Sequence, residues 1–472
     1  MRMKLSFSKL GIIAFVAAAG ALIGSQIADP TKRILETIGG FILIYLIWNF
    51  STLSALWLIL IIYPFPFAIS VGHSTFVFVV IVFIIYLIRV SARKSTLRFD
   101  KQFNLPIILM VLSYIISFYN IEGSSWLISV GLIYTVNFFA AILFFYMIVN
   151  FVTDEKKLHT TVRISMITCA LIMLFTLFEL LFPGKVLIPG WLYTAQRELQ
   201  LVMKDVRMKG AFQDYELNAE FFAMNVPIIL FMSIRARRLL TRIMFTLLLI
   251  ADIVMLFTTI TRGAFISLTI GLVYMAYLSR RDLNFTRLIM IGGAFVALIF
   301  IIDTLVAQYT ISGSLFGRMV ATTFEKGIIP DTRIEAWGGA LRRGLEHPFI
   351  GNGPGWDFSK GIEAGFWPHN VYLFYFNITG IFGLFAFIFL LVRLMLASSI
   401  GFRSSLVHDS FPEAFIKVLH VTLVIFIIDQ IKVDYLRSTI YIYFVWFFFG
   451  MIAATRNIIR SNLKTGNDAS PS

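Results

Sequence analysis

Cysteine occurs once in this chain, at Cys169 inside an apolar run, so no disulfide framework holds the molecule together and redox compartment is not encoded. Charge is scarce too: Asp, Glu, Lys and Arg make up 14% of 472 residues, against about 25% in soluble domains. HExxH, CxxC and paired-histidine metal signatures are missing, and Asp303, Asp331 and Asp357 are scattered acids without ligand spacing. A P-loop and a dinucleotide fingerprint are also missing, because Gly351, Gly353 and Gly355 lack the strand and helix such loops require. No metal and no cofactor is therefore expected. Internal repeats and coiled-coil heptads are not evident.

What fills the chain is hydrocarbon: 58% of residues are hydrophobic, 49 of them Phe, and the mean hydropathy is +0.85. Apolar runs fall near 10–28, 35–50, 52–71, 73–90, 105–120, 127–151, 163–182, 217–234, 243–260, 263–279, 286–303, 370–394, 413–431 and 437–455. Runs of this length fit transmembrane helices, and lipid forces helices because an open sheet edge cannot face it. In the first run the small residues Ala17 to Ala21 lie inside the apolar segment, so it reads as an uncleaved span and not a cleaved secretory signal. The expected fold is all-α: a polytopic transmembrane helix bundle of about 12–14 spans, one integral membrane domain over residues 1–472. The turn at Asn49 to Thr52 makes the second and third runs the pair whose loss would give twelve.

The formal charge of +14 does not point to nucleic acid, because its distribution matters more than its sum. With the N-terminus in the cytoplasm, the short loops carrying Arg89, Arg93, Arg98, Lys156, Lys157, Arg235, Arg238, Arg242, Arg280, Arg393 and Arg456 all fall inside. Both termini are then cytoplasmic, with residues 461–472 expected as a disordered tail. The two longest polar connections, 181–216 and 304–369, face outward. The first holds Pro183-Gly184, Pro189-Gly190 and an interfacial helix near 199–208. The second has helical character over 312–325 and a helix from Asp331 to Arg343, with Ile334, Trp337 and Leu341 on one face. Its glycines at 351, 353 and 355 form a tight turn with freely presented backbone.

Chemistry-bearing residues collect on that outer side. Arg262 stands in a tight turn between two spans, where a guanidinium either snorkels to headgroups or forms a planar fork for phosphate. Arg207 and Lys209 precede a span in which Glu220 requires a partner, with Arg207 or Arg262 expected to supply it, or a substrate hydroxyl. Arg333 lies on the outer helix, as an exposed charge or a ligand contact. His369, between Pro368 and Asn370 at the mouth of a span, reads either as interfacial or as a proton acceptor for a hydroxyl nucleophile. Asn370 is placed to cap the helix that follows. Trp356, Phe366 and Trp367 suit sugar stacking or interface anchoring.

Arg207-x-x-Gly210, Thr261-Arg262-Gly263, and Arg333 … Gly351-Asn-Gly353 … His369-Asn370 … Gly380-Ile-Phe-Gly383-Leu384 together resemble the O-antigen ligase and O-antigen polymerase superfamily, which also holds bacterial protein O-oligosaccharyltransferases. The resemblance covers 207–393 and is generic in the first six spans. It implies a metal-independent enzyme of the bacterial cytoplasmic membrane. Such an enzyme transfers an undecaprenyl-diphosphate-linked glycan, on the outer face, to a hydroxyl of another glycan, lipid A core or protein. Carried over, Arg207 and Arg262 would neutralise the diphosphate leaving group. His369 would act on the acceptor hydroxyl beside Asn370, and Arg333 would steady substrate or loop. Lys209, Glu220, Gly353 and Trp367 are expected to line the substrate. Oligomeric state is not encoded in these motifs. A transporter or flippase would instead carry charges along a path through the membrane centre.

Overall fold

The computed structural model describes residues 51–182, 208–280, 331–354 and 368–468, with short gaps at 67, 70–71, 94, 122–124 and 403, and scattered positions between 293 and 317. Outside the described residues lie the expected spans 10–28 and 35–50, most of 286–303, the interfacial helix at 199–208 except Met208, nearly all of 312–325, and both Arg207 and Trp367.

Twelve helices carry the argument. These are α1 (Thr52–Ile62), α2 (Ser74–Ser91), α3 (Lys101–Ser117), α4 (Ser125–Phe151), α5 (Glu155–Leu181) and α6 (Tyr215–Arg235). There follow α7 (Leu239–Thr258), α8 (Arg262–Leu278), α9 (Asp331–Gly344), α10 (Val371–Ser398), α11 (Phe411–Asp429) and α12 (Tyr441–Asp468). The fold is all-α. The one strand pairing among the described residues joins Ala68–Ile69 to Gly72–His73, a two-residue antiparallel hairpin. Nine helices are long and apolar enough to cross a membrane among the described residues, and α1 and α8 are shorter apolar helices. Each apolar run on described chain contains a helix, though 52–71 is helical only over Thr52–Ile62 and ends in the strand pairing, and the protein is a multi-pass membrane protein. α12 runs on to Asp468, into the segment 461–472. No Pro interrupts 456–468, so the helical backbone continues beyond the apolar run.

The apolar stretch of α6 is 89% buried inside the protein, that of α12 94% and that of α11 78%, whereas α7 buries only 22% of its own. The first three are the central helices and α7 lies at the periphery of the described bundle. Aromatic contacts knit the centre: Phe221 meets Phe444 at 4.8 Å and Phe426 meets Phe449 at 5.5 Å. A charged residue at the end of α6, α11 or α12 is therefore delivered to the middle of one face of the bundle.

α10 is not a continuous span. Gly380 has φ +66° and ψ −166°, which splits the helix in two. The loop after α9 fills the break: Ile381 donates its N–H to Pro348 O at 2.8 Å, Asn352 to Asn377 O at 2.7 Å and Gly353 to Ile378 O at 3.0 Å. Broken helices survive in a membrane when protein supplies the missing partners. The glycines are required sterically, because a Cβ on Gly380 would sit 2.2 Å from Phe349 O and one on Gly351 would sit 2.4 Å from the Ile378 backbone. The expectation of a freely presented backbone is corrected: the amides of Gly351 and Gly353 go to His347 O and Ile378 O.

Candidate functional site

The site forms where the first turn of α6 meets the loop between α11 and α12. Asp214 caps α6, its Oδ1 accepting from Glu216 N at 2.8 Å and Leu217 N at 3.1 Å. Glu216 follows in the first turn, where the partial positive charge of a helix N-terminus favours carboxylates. Its side chain is 5% exposed and meets two arginines and a histidine. Arg333 Nη2 reaches Oε1 at 2.6 Å, Arg437 Nη2 reaches Oε2 at 2.9 Å, and His369 Nδ1 lies 3.0 Å from the same Oε2. Arg437 also holds Asp214 Oδ1 at 2.6 Å. Burial works against the Arg437 charge, but Asp214 and Glu216 outweigh it and raise its pKa, so this guanidinium stays protonated.

His369 is presented by geometry that its neighbours enforce. Its φ is +45°, the left-handed region that His enters more readily than branched residues. On one side Trp337 Nε1 of α9 donates to Pro368 O at 2.8 Å. On the other, Asn370 caps α10, accepting from Tyr372 N at 3.0 Å and Leu373 N at 3.1 Å. Val371 N then donates to Gln430 O at 3.1 Å, tying the start of α10 to the end of α11. The imidazole is 35% exposed and faces outward from this clamp.

Arg262 is the first residue of α8. The turn before it is fixed by Met208 N donating to Thr258 O at 3.3 Å and by Thr261 Oγ1 donating to Tyr215 O at 3.4 Å. A Cβ on Gly263 would lie 3.0 Å from Lys432 Cδ and 3.4 Å from Asp429 Oδ1, so the bare glycine lets the Lys432 stem cross the first turn of α8. Arg333 Nη1 donates to Lys432 O at 3.0 Å. Burial lowers the Lys432 pKa, Arg333 and Arg262 lower it further, and Asp429 and Glu216 oppose them. Three cations thus crowd one another, and an anion placed among them would relieve that repulsion.

Of the residues expected from sequence, Arg262, Arg333, His369 and Asn370 come together here. Glu220 does not pair with an arginine: its carboxyl takes Gln430 Nε2 at 2.7 Å and Tyr441 OH at 3.0 Å, one turn deeper in α6. Being four residues after Glu216 puts it on the same helix face but inside the bundle, so it braces the scaffold. Lys209 and Gly210 donate backbone N–H to Glu179 at 3.2 and 2.8 Å, anchoring the chain just after Arg207 to α5. Gly353 spends its amide on Ile378, so its role is to dock the loop. Sequence reading missed Asp214, Glu216, Lys432 and Arg437. Arg437 was taken into the last apolar run, although the same span count that put His369 outside also puts 431–437 there.

Among the described residues no group of three or more His, Cys, Asp or Glu could hold a metal ion. Residues 245–388 match the O-antigen ligase family. The stretch runs from α7 into α10 and contains Arg262, Arg333, Gly353, His369 and Asn370. No curated protein matches the chain. The O-antigen ligase match supplies glycan transfer as the general activity, while Asp214, Glu216, Lys432 and Arg437 lie beyond its limits.

Proposed function

We propose that the protein transfers a glycan from an undecaprenyl-diphosphate carrier to an acceptor hydroxyl on the outer face of the cytoplasmic membrane, with both of its termini in the cytoplasm. The observation that carries this reading is the gathering of His369, Arg333 and Arg437 on Glu216, with Arg262 and Lys432 beside them, at the ends of membrane-spanning helices. A site at that depth suits a substrate whose lipid tail stays in the bilayer while its diphosphate and sugars stay at the surface.

The carrier's diphosphate would take Arg262, Lys432 and Arg207 as partners, since guanidinium forks match phosphate oxygens and neutralise the charge that grows as the anomeric C–O bond breaks. His369 would accept the acceptor's proton as its oxygen attacks the anomeric carbon, and the diphosphate departs with the bonding electrons. Asn370 and the α9 clamp hold the ring in place. A transport role has less support, because the charged residues of the site meet at one end of the bundle.

The test is direct transfer. Purified protein would be given carrier-diphosphate glycan and, separately, lipid A core, a second carrier-linked repeat, and a Ser/Thr peptide. Product with one acceptor is the expected outcome and names the branch: ligase, polymerase or protein O-oligosaccharyltransferase. Full transfer by the Arg262→Ala or His369→Ala variant would sink the assignment of the site.

A further inference from the structure

One nitrogen at this site is claimed twice. His369 Nδ1 lies 3.0 Å from Glu216 Oε2 and 2.6 Å from Arg437 Nη1. A guanidinium can only donate and a carboxylate can only accept. Nδ1 therefore accepts from Arg437 or donates to Glu216, never both at once. The choice fixes the rest of the neutral ring: if Nδ1 accepts, the proton sits on Nε2; if Nδ1 donates, Nε2 carries the lone pair. Only the second tautomer has a base to offer on the nitrogen that does not face Glu216.

Resting on the transfer reading above, we infer that Glu216 is the positioning residue that sets the tautomer of His369, and that Arg437 holds the ring in the wrong tautomer until a lipid diphosphate draws it away. Three features support this. The Arg437 contact to Nδ1 is the shorter of the two, which favours Nε2–H at rest. The Arg437 side chain is 10% exposed and that of its partner Asp214 26%, so the cluster opens toward solvent on the Asp214 side. Glu216 keeps Arg333 at Oε1 whether or not Arg437 leaves, so the carboxylate stays ionised and oriented. When Arg437 turns to the diphosphate, Nδ1 takes a proton from solvent and Nε2 gives one back, the ring being 35% exposed; Nδ1–H then donates to Glu216 Oε2 and Nε2 is free. The acceptor O–H proton then moves to Nε2, the acceptor oxygen bonds the anomeric carbon, and the diphosphate leaves with its electron pair. The resulting imidazolium is stabilised by Glu216 and returns its proton to water. Acceptor activation thereby waits for donor.

The readout is the ring itself. Protein labelled with 15N-histidine in nanodiscs has six histidines, and the His369 signal is assigned by its loss in His369→Gln. Without ligand, Nε2 is expected as the protonated nitrogen; with farnesyl diphosphate as the probe, Nδ1 is expected to carry the proton. A resting Nδ1–H form, or a tautomer that does not change when the probe binds, overturns the inference. Glu216→Gln gives a second, kinetic arm: kcat should fall by at least about tenfold with the donor KM unchanged, as when the orienting partner of a catalytic histidine is lost. An unchanged kcat overturns the role of Glu216. If wild-type protein neither binds the probe nor transfers glycan, the transfer reading falls and takes this inference with it; binding and transfer with an unmoved tautomer bring down this inference alone.

Discussion

At one end of the bundle Arg437 is shared among Asp214, Glu216 and His369. At the other end Arg235 donates to the backbone carbonyls of Val407 and Asp409 at 2.7 and 3.0 Å, and Arg456 takes Asp100, the cap of α3, at 3.2 Å. Both ends are basic, but the partners differ. Arg235, the last residue of α6, ties that helix to the turn before α11 through two loop carbonyls. At the site end Arg333, Arg437 and His369 converge on one carboxylate, so a new anion can take a cation without leaving a buried carboxylate alone. The first arrangement is scaffold, and the second is one that a ligand can rearrange.

The largest expected effect separates the ends by chemistry. His369→Ala should cut kcat about 10²–10⁴-fold, the usual worth of a positioned acid or base, with carrier binding retained. Arg235→Met should leave turnover where it was. Parallel transfer assays decide it, and comparable losses in both variants would erase the distinction.

Backbone comes next. Gly380→Ala adds a Cβ at φ +66° against Phe349 O and should cost about 3 kcal/mol or more, since strain and lost loop docking add. Gly338→Ala in α9 meets nothing within 4 Å and should stabilise by up to about 1 kcal/mol. Thermal unfolding in detergent compares the pair; equal shifts would mean that the break in α10 is not what holds the loop.

Arg437→Met tests the buried network as a stability element. Removing one member of a buried ion cluster typically costs about 3–5 kcal/mol; the partly exposed Asp214 and the remaining Arg333 should bring it to about 2 kcal/mol. Arg235→Met, which gives up hydrogen bonds at a wetter surface, should cost about 1 kcal/mol. A larger loss at Arg235 would reverse the roles assigned to the two ends.

The helices were legible because lipid imposes length and hydropathy on them; the run 52–71 is the exception, a helix over Thr52–Ile62 followed by the strand pairing. His369, Arg262 and Arg333 were legible as polar residues at the ends of such runs. What failed was pairing. Glu220 looked like the carboxylate in need of an arginine, yet Glu216, one turn earlier, is the one the arginines reach. Partners more than a hundred residues apart, such as Arg437 and Glu216, are set by how α6 and α12 pack, which no local pattern encodes. The break in α10 was hidden for a related reason: Gly380 sits in a run that hydropathy alone reads as one span, and only the docked loop at 348–353 makes the split stable.

The smallest effect concerns Lys432 and has a sign that can be worked out. Its pKa in the folded protein lies below the ordinary 10.5, because burial and then Arg333 and Arg262 disfavour its charge. Between the folded value and 10.5 the unfolded chain binds more protons than the native one. Stability contributed by this group therefore rises with pH through that window, and the full cost of the buried charge is felt below it. Lys432→Met should remove that slope, so the wild-type-minus-variant difference in unfolding free energy should climb as pH increases toward 10.5. A flat difference for Lys432 would mean that its charge is already neutralised by Asp429 and Glu216, and that the crowding of cations said to invite an anion is not felt.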